Sequence, residues 1–281
     1  MKNRVITSAA ILIAMLLLVI FSEFIFYSVA IAILGIIAVM EILRVMGAHK
    51  EWLLSVPAYI FVPVFPVLAY FIKSSDVLNY LLALAACIFV YLFWLMGVGV
   101  FSKGRIPFSR IGEVFAGVSY IAVAFASLSL IRYIDREIGI FTVVLVFLIS
   151  WTCDVFAFAT GVLIGKHKLI PEVSPKKTVE GAIGGIVFSL LFCLLYGLGL
   201  DLLIENMSVS YLTLALFGLI LPVVSQLGDL VASLIKREYG IKDYGKIFPG
   251  HGGVMDRFDS VLAVSTILMI LCIIFPPFKL V

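Results

Sequence analysis

The sequence predicts an all-α, polytopic integral membrane protein with about nine transmembrane helices. Of its 281 residues, 63% are hydrophobic, and the mean hydropathy is +1.22. Soluble domains are only about 45–50% apolar, so this chain lacks the polar side chains needed to cover a water-exposed surface. Each spanning helix takes about 20 residues, which leaves room for roughly nine or ten spans and for no separate soluble domain.

Apolar runs separated by polar residues set the limits of the spans. The predicted helices are 5–20, 24–46, 52–72, 77–100, 111–132, 138–164, 179–200, 210–236 and 258–276. The start of the chain resembles a signal peptide, but no cleavage site follows at residues 21–24, so we expect a retained first span. Pro57, Pro63 and Pro66 predict that the third span is kinked or broken.

The lysines and arginines predict the orientation of these spans. If the N-terminus and the loops after even-numbered helices share one side, that side holds 16 of the 20 basic residues. The other side keeps Lys73, Arg132, Arg136 and Lys279. The positive-inside rule makes the richer side cytoplasmic, which places the polar loops 165–178 and 237–257 on one face. A net charge of +3, dispersed over short loops, gives no reason to expect a nucleic-acid partner.

Acidic residues mark the last two predicted spans. Asp229, Ser233 and Lys236 recur at helical spacing near the cytoplasmic end of the eighth span, and Asp256 and Asp259 share a face at the start of the ninth. Charged side chains inside spans are costly, by roughly 2.5–3.5 kcal/mol each on insertion scales, and usually mark a site. Carboxylates suit Mg²⁺, so these two faces predict a magnesium site, with room for a second cation.

Asp154 lies some ten residues inside the sixth span, where only a partner or an ion makes a carboxylate tolerable. It is the candidate that completes the metal cluster from a third helix. The transporter class offers an alternative, in which Asp154 and Asp229 form a cation path. That alternative leaves the glycine-rich turn and the clustered cations of the loops without a role.

A glycine-rich turn, Gly250-His251-Gly252-Gly253, directly precedes the ninth span. Free backbone N–H groups at a helix start bind anions, so this turn predicts a phosphate site, with His251 as a weaker metal-ligand candidate. Cations that would neutralise a polyphosphate flank the turn: Lys236, Arg237, Lys242 and Arg257. The alternative is that these cations only anchor the chain at the cytoplasmic surface and that Asp256 pairs with one of them.

A second polar motif starts the seventh span. Thr178 is placed to cap the helix, with Glu180 in its first turn. Lys176 and Lys177 beside this helix start predict a phosphate contact, and anchoring to lipid headgroups is the alternative.

Together these motifs resemble the signature of phosphatidate cytidylyltransferases, also called CDP-diacylglycerol synthases. The signature residues are Ser233, Lys236, Arg237, Lys242, Asp243, Pro249, His251, Gly252, Gly253, Asp256, Arg257 and Asp259, and the second motif runs from Ser174 to Gly181. The resemblance covers residues 154–260. It implies that residues 138–281 form the catalytic region, whereas residues 1–137 contribute N-terminal transmembrane helices.

The resemblance also implies the reaction: CTP and phosphatidic acid give CDP-diacylglycerol and pyrophosphate, with Mg²⁺, in phospholipid biosynthesis. We expect catalytic roles for Asp229, Lys236, Arg237, Asp256, Arg257 and Asp259. We expect substrate contacts from Lys176, Lys177, Thr178, Ser233, Lys242, Asp243, His251, Gly252 and Gly253. The expected metal ligands are Asp154, Asp229, Asp256 and Asp259.

The expected partners are CTP, phosphatidic acid and membrane lipids, and the family is compatible with a homodimer. The expected location is the cell inner (plasma) membrane, with the active site on the cytoplasmic side. A CTP-dependent lipid kinase is the related alternative, which would release CDP and a phospholipid instead. A CDP-alcohol phosphotransferase is disfavoured, because its D-G-x-x-A-R signature does not occur.

Overall fold

The computed structural model describes residue 13 and residues 15–280. In this part of the chain, eight helices are long and apolar enough to cross a membrane. They confirm the all-α, polytopic fold class. Residues 15–20 are helical, but the predicted first span, 5–20, lies mostly outside the described residues, so the count of nine is not confirmed.

The first of two compact units comprises Met1–Arg136 and Tyr239–Arg257. Its long helices are α1 (Ile25–Val45), α2 (Trp52–Ala69), α3 (Val77–Phe101) and α4 (Phe108–Tyr133). Helix α4 is the central helix of the unit, because it packs against the other three and 67% of its most apolar stretch is buried. Hydroxyl groups join it to α1: the Tyr27 hydroxyl donates to the Leu128 carbonyl at 3.1 Å. Between lipid-embedded helices such bonds and close packing replace the hydrophobic effect as the source of association.

Helix α2 is unbroken, which excludes one of the two outcomes predicted for the third span, a kink or a break. It runs without interruption from Trp52 to Ala69 although Pro57, Pro63 and Pro66 lie inside it. Proline has no N–H to donate to the carbonyl four residues earlier, which for Pro57 is the carbonyl of Leu53. The indole N–H of Trp94, on α3, donates to that carbonyl at 2.8 Å. A neighbouring helix therefore satisfies the group that the proline frees.

The second unit comprises Glu137–Glu238 and Phe258–Val281. In chain order its elements are α5 (Gly139–Ile164), β1 (Lys168–Ile170), β2 (Ser174–Thr178), α6 (Val179–Leu203), β3 (Met207–Val209), α7 (Tyr211–Glu238), α8 (Met255–Ile274) and β4 (Phe278–Leu280). The first three residues of α8 belong to the first unit. The antiparallel pairs β1–β2 and β3–β4 are short additions that the all-α prediction did not include.

Small residues let α5 and α6 approach each other closely. A Cβ atom at Gly181 would lie 2.5 Å from the carbonyl oxygen of Ala157, and one at Gly185 would lie 3.0 Å from the carbonyl oxygen of Cys153. Helices in lipid associate through such small-residue contacts, because backbones that approach closely gain van der Waals contact. The result is a tight helical hairpin that carries Asp154 on one arm and the β1–β2 strands at its tip.

The predicted division into N-terminal helices, 1–137, and a catalytic region, 138–281, stays a prediction, because the two units are defined by contacts and not by function. The segment 239–257, predicted within the catalytic region, is grouped with the first unit instead. Its contacts explain the grouping, since the Tyr239 hydroxyl donates to Glu113 at 2.7 Å and the backbone of Val254 donates to Glu41 at 3.0 Å.

Candidate active site

Asp154 and Asp229, from two helices of the second unit, line one cavity, and Asp259 lies near them on a third helix. Asp154 lies on α5, Asp229 on α7 and Asp259 on α8. The charges of Asp229 and Asp154 both act on the side chain of Asp259. The Ser260 hydroxyl, also on α8, donates to Asp154 at 3.2 Å. Three separate spans therefore bring Asp154, Asp229 and Asp259 to one region of the second unit, and their role as metal ligands stays a prediction.

Lys177 supplies a positive charge to this acidic cluster of Asp154, Asp229 and Asp259. Its Nζ atom lies 2.7 Å from Asp229 Oδ2, and the two side chains are 25% and 29% exposed. The same ammonium group donates to the carbonyl of Gln226 at 3.5 Å. Because like charges in a poorly solvated site repel each other, this ammonium group reduces the repulsion that Asp229 experiences from the neighbouring carboxylates.

The predicted polar face of α7 is also present. The Ser233 hydroxyl donates to Asp229 Oδ1 at 3.4 Å, one helical turn away. Lys236, a further turn along, lies close enough to Asp259 for their charges to interact. Arg237 is exposed, and its Nε atom donates to the carbonyl of Val173 at 3.5 Å, which ties the end of α7 to the 165–178 loop.

A cavity of about 490 Å³ opens beside the acidic cluster. Its polar lining combines carboxylates with ammonium groups, and its apolar lining comes mostly from α5. The charged residues are Asp154, Asp229, Lys168, Lys176 and Lys177, and the larger apolar ones are Phe158, Val162 and Leu169. An anionic headgroup on an apolar tail matches both linings.

Local contacts at the start of α6 order the segment that carries Lys168, Lys176 and Lys177. As predicted, Thr178 caps the helix, and its hydroxyl accepts the Gly181 N–H at 3.1 Å. Glu180 pairs with the exposed imidazole of His167 at 2.6 Å and also accepts its backbone N–H. Pairing of Lys168 with Thr178 in the two strands brings Lys168 back towards the helix start.

The start of α8, in the first unit, differs from the prediction of free amides. Oδ2 of Asp256 accepts the N–H groups of Tyr244 at 2.7 Å and of Gly253 at 2.9 Å. Glu41 accepts the N–H groups of the next two residues, Val254 and Met255. The expectation that the Gly253 amide is free for phosphate was therefore wrong, because the chain's own carboxylates occupy this helix start.

The glycine-rich turn has the backbone conformation that its composition predicts. Gly250 has a φ of 76° and Gly252 a φ of 84°, in the left-handed region that disfavours side chains. A Cβ atom at Gly252 would also lie 2.6 Å from Asp256 Oδ2. These glycines let the chain fold back onto the Asp256 carboxylate.

The other predicted residues of the 239–257 segment lie at its surface. Lys242, Asp243 and Arg257 are exposed. His251 is half-buried, with Nδ1 3.4 Å from the carbonyl of Pro249. Their roles towards substrate stay predictions.

The donor chemistry of the acidic cluster fits Mg²⁺, a hard cation that prefers oxygen ligands. Within residue 13 and residues 15–280, no three His, Cys, Asp or Glu side chains lie close enough together to enclose a metal ion. Magnesium, however, is usually held by one or two carboxylates together with substrate phosphates rather than by a complete protein cage. Asp229 and Asp259, with Asp154 nearby, provide such an incomplete set.

Sequence reasoning missed four residues that shape these sites: Glu41, Lys168, Gln226 and Ser260. Glu41 lies inside an apolar run, so the argument that singled out Asp154 applied to it equally. Gln226 and Ser260 adjoin predicted residues on α7 and α8. Lys168 gave no signal beyond its charge, because its position depends on a hairpin that the sequence pattern did not reveal.

Comparison with known proteins assigns the chain to a family. The model of the cytidylyltransferase family matches residues 2–275. The chain belongs to the cytidylyltransferase family. It is 34% identical over 280 residues to the phosphatidate cytidylyltransferase of Bacillus subtilis, which covers 98% of each chain. The phosphatidate cytidylyltransferases of Staphylococcus saprophyticus and Staphylococcus aureus are each 39% identical to it, over 64% of this chain and 66% of theirs.

Membership of the cytidylyltransferase family confirms the resemblance predicted from the motifs, and it makes the chain an enzyme of the nucleotidyltransferase class. The match extends well beyond residues 154–260, so the N-terminal helices also belong to the family's structure. Eight apolar helices confirm that the enzyme is a multi-pass membrane protein.

Proposed function

We propose that the chain transfers CMP from CTP to phosphatidic acid, giving CDP-diacylglycerol and pyrophosphate, in a metal-dependent reaction of phospholipid biosynthesis. The observation that carries the proposal is the cavity beside Asp229, which combines ammonium groups, carboxylates and an apolar wall. The names of the most similar curated relatives support the choice of substrates.

Each part of the cavity matches a part of the proposed substrates. Lys168, Lys176 and Lys177 neutralise phosphate oxygens, and charge-assisted hydrogen bonds of this kind are about twice as strong as neutral ones. Phe158 and Val162 are 72% and 68% exposed on the same helix, which suits contact with acyl chains. An amphiphilic phosphate thus fits this cavity better than a small soluble ligand does.

The proposed reaction does not require a strong general base to deprotonate the nucleophile. The phosphate of phosphatidic acid is already an oxyanion, and it attacks the α-phosphorus of CTP. A new P–O bond forms as the bond from the α-phosphorus to the bridging oxygen of the β-phosphate breaks, and the electron pair leaves with pyrophosphate. The enzyme's task is to hold two polyanions in line and to neutralise the leaving group.

Lysines of the β1–β2 region and of α7 perform this neutralisation. Lys177 already holds an ammonium group 2.7 Å from Asp229, so it is fixed in position before substrate binds. Lys236 lies near enough to Asp259 on the next helix for their charges to interact, and it provides a second positive charge. Preorganised charges of this kind stabilise a transition state without reorganisation at the moment of reaction.

Mg²⁺ held by Asp229 and Asp259, with Asp154 as a further ligand, would neutralise the triphosphate and polarise it for displacement. The placement of these three carboxylates supports their assignment as ligands, and a second cation remains part of the proposal. Asp256, proposed from sequence as a ligand, is 7% exposed and accepts two amide N–H groups, so its contribution is mainly to hold the start of α8.

The distribution of basic residues supports a location in the inner (plasma) membrane with the active site on the cytoplasmic side. Lys166, Lys168, Lys176 and Lys177 lie in a single loop, and the segment after α7 is also basic. Soluble CTP would reach the cavity from the cytosol, and phosphatidic acid would reach it from the inner leaflet.

An assay of the purified protein tests the proposal. With labelled CTP, phosphatidic acid and Mg²⁺ we expect CDP-diacylglycerol and pyrophosphate in equal amounts, and EDTA should abolish both. Asp229→Asn should abolish transfer while the protein remains folded. Asp201→Asn is the matched control, because Asp201 is an exposed carboxylate at the far end of α6 that accepts only the Tyr211 hydroxyl among the hydrogen bonds described here. Formation of CDP and a phosphorylated lipid would instead identify a CTP-dependent lipid kinase.

A further inference from the structure

Glu41 is a buried carboxylate on α1 that the proposed reaction does not use. It is 3% exposed and lies four residues before the end of the helix at Val45. Burial of a charged group is costly unless hydrogen bonds satisfy it. The partners of Glu41 therefore indicate why the chain retains it.

Both oxygens of Glu41 accept backbone N–H groups at the start of α8. The N–H of Val254 donates to Oε1 at 3.0 Å, and the N–H of Met255 donates to Oε2 at 2.9 Å. Glycines enclose the carboxylate, because a Cβ atom at Gly245 or Gly253 would overlap it. The segment is thus shaped to receive this one side chain.

Asp256 completes the arrangement from within the segment. Its Oδ2 atom accepts the N–H groups of Tyr244 and Gly253, so two carboxylates together satisfy four amides around the start of α8. Helix starts are ordinarily capped by a serine, threonine, aspartate or asparagine of the adjacent turn. Here two amides are instead satisfied by a residue 213 positions earlier in the chain.

We propose that Glu41 is a positioning residue for the reaction: by holding the N–H groups of Val254 and Met255, it fixes where α8 begins. The same helix carries Arg257 in its first turn and Asp259 one turn further on. This inference rests on the proposed function, since it concerns the residues that would act on CTP.

A purely structural role is disfavoured by the chemistry of the contact. A hydrophobic side chain at residue 41 with a local cap at residue 252 or 254 would satisfy the helix start without a buried charge. The Glu41 carboxylate instead accepts hydrogen bonds from two successive amides, which sets both the position and the direction of the first helical turn. Displacement of catalytic groups by about 1 Å can lower rates about 100-fold.

Glu41→Gln tests the proposal, because glutamine has nearly the same shape but presents an N–H donor to one of the two amides. We expect kcat to fall roughly 100-fold with the KM for CTP changed less than about threefold. Hydrogen exchange should become about tenfold faster or more at the amides of Val254 and Met255. Glu41→Asp keeps the charge and should retain more activity than Glu41→Gln.

Two control variants separate positioning from loss of stability. Glu113→Gln changes a carboxylate of the same unit that holds the Tyr239 side chain rather than helix amides. Tyr80→Phe removes a buried hydroxyl that donates to the Phe65 carbonyl at 3.0 Å. We expect both controls to retain at least about a third of wild-type kcat at a temperature well below their unfolding midpoints.

Several outcomes would overturn the inference. They are wild-type kcat in Glu41→Gln, unchanged exchange at the two amides, or equal losses in Glu41→Gln and Glu113→Gln. If Glu41→Gln does not fold, the test uses Glu41→Asp. Wild-type kcat in Glu41→Asp, together with faster hydrogen exchange at residues 254 and 255, would show that the contact does not position the site. If the wild-type protein does not transfer CMP, the proposed function is wrong. Hydrogen exchange would still test whether Glu41 holds the amides of Val254 and Met255.

Discussion

Replacement of Lys177 by methionine should separate its role in catalysis from its role in stability. The variant keeps a side chain of similar length but removes the ammonium group that lies 2.7 Å from Asp229. Asp229 would then face the charges of Asp154 and Asp259 without this partner. The predicted result is a large loss of CMP transfer with a small loss of stability.

The magnitudes follow from the exposure of the pair. Because the two side chains are 25% and 29% exposed, solvent screens their attraction, and the pair contributes about 1 kcal/mol to folding at most. A hydrogen bond to a charged group in a formed site is worth about 1.5–3 kcal/mol, which corresponds to a roughly 10–150-fold lower kcat/KM. The loss of activity should therefore exceed what the loss of stability explains.

Lys176→Met is the matched comparison, since Lys176 precedes Lys177 on the same strand but is exposed. Lys176 lines the same cavity, but solvent screens its exposed ammonium group, so we expect Lys176→Met to lower kcat/KM by only about three- to tenfold. Transfer of labelled CMP to phosphatidic acid, measured beside thermal unfolding in the same detergent, provides both quantities. Equal losses in the two variants, or near wild-type activity in Lys177→Met, would refute the assigned role of Lys177.

Three further predictions concern single groups. Asp259→Asn should abolish CMP transfer and leave thermal unfolding nearly unchanged, and substantial product from this variant would contradict its role as a metal ligand. Thr178→Ala removes the cap of α6 and should lower the free energy of unfolding by about 1 kcal/mol, measurable by denaturant titration, with Thr178→Ser as the control that keeps the hydroxyl. Trp94→Phe leaves the carbonyl freed by Pro57 unsatisfied and should destabilise the protein by about 1–3 kcal/mol, whereas the double variant Trp94→Phe, Pro57→Ala should recover part of that loss.

Much of the fold follows from apolar runs, because a bilayer of fixed thickness requires spans of similar length. The span predicted at 24–46 corresponds to Ile25–Val45, and that at 138–164 to Gly139–Ile164. The sequence left open whether α2 is kinked or broken, because its continuity depends on the Trp94 indole, and no local pattern identifies that partner. The β1–β2 hairpin was missed for a related reason, since its strands are too short to show an alternating pattern.

The candidate site was predicted where helical spacing determines contacts and missed where contacts join distant segments. Asp229 and Ser233 are one turn apart, so their hydrogen bond follows from the sequence. The two amides that Glu41 accepts lie more than 200 positions away from it in the chain, and local rules predicted that the amides of this helix start would be free. Metal binding itself stays a prediction that the EDTA experiment decides.

The hydrogen bond between Ser260 and Asp154 has a consequence for biosynthesis. The two residues are 106 positions apart, so at about 5–20 residues per second the ribosome needs roughly 5–20 s after Asp154 to reach its partner. During that interval Asp154 lacks the hydroxyl donor that Ser260 provides in the finished protein. This hydrogen bond thus forms only after α8 has been synthesised, so it cannot contribute to the earlier packing of α5 against α6.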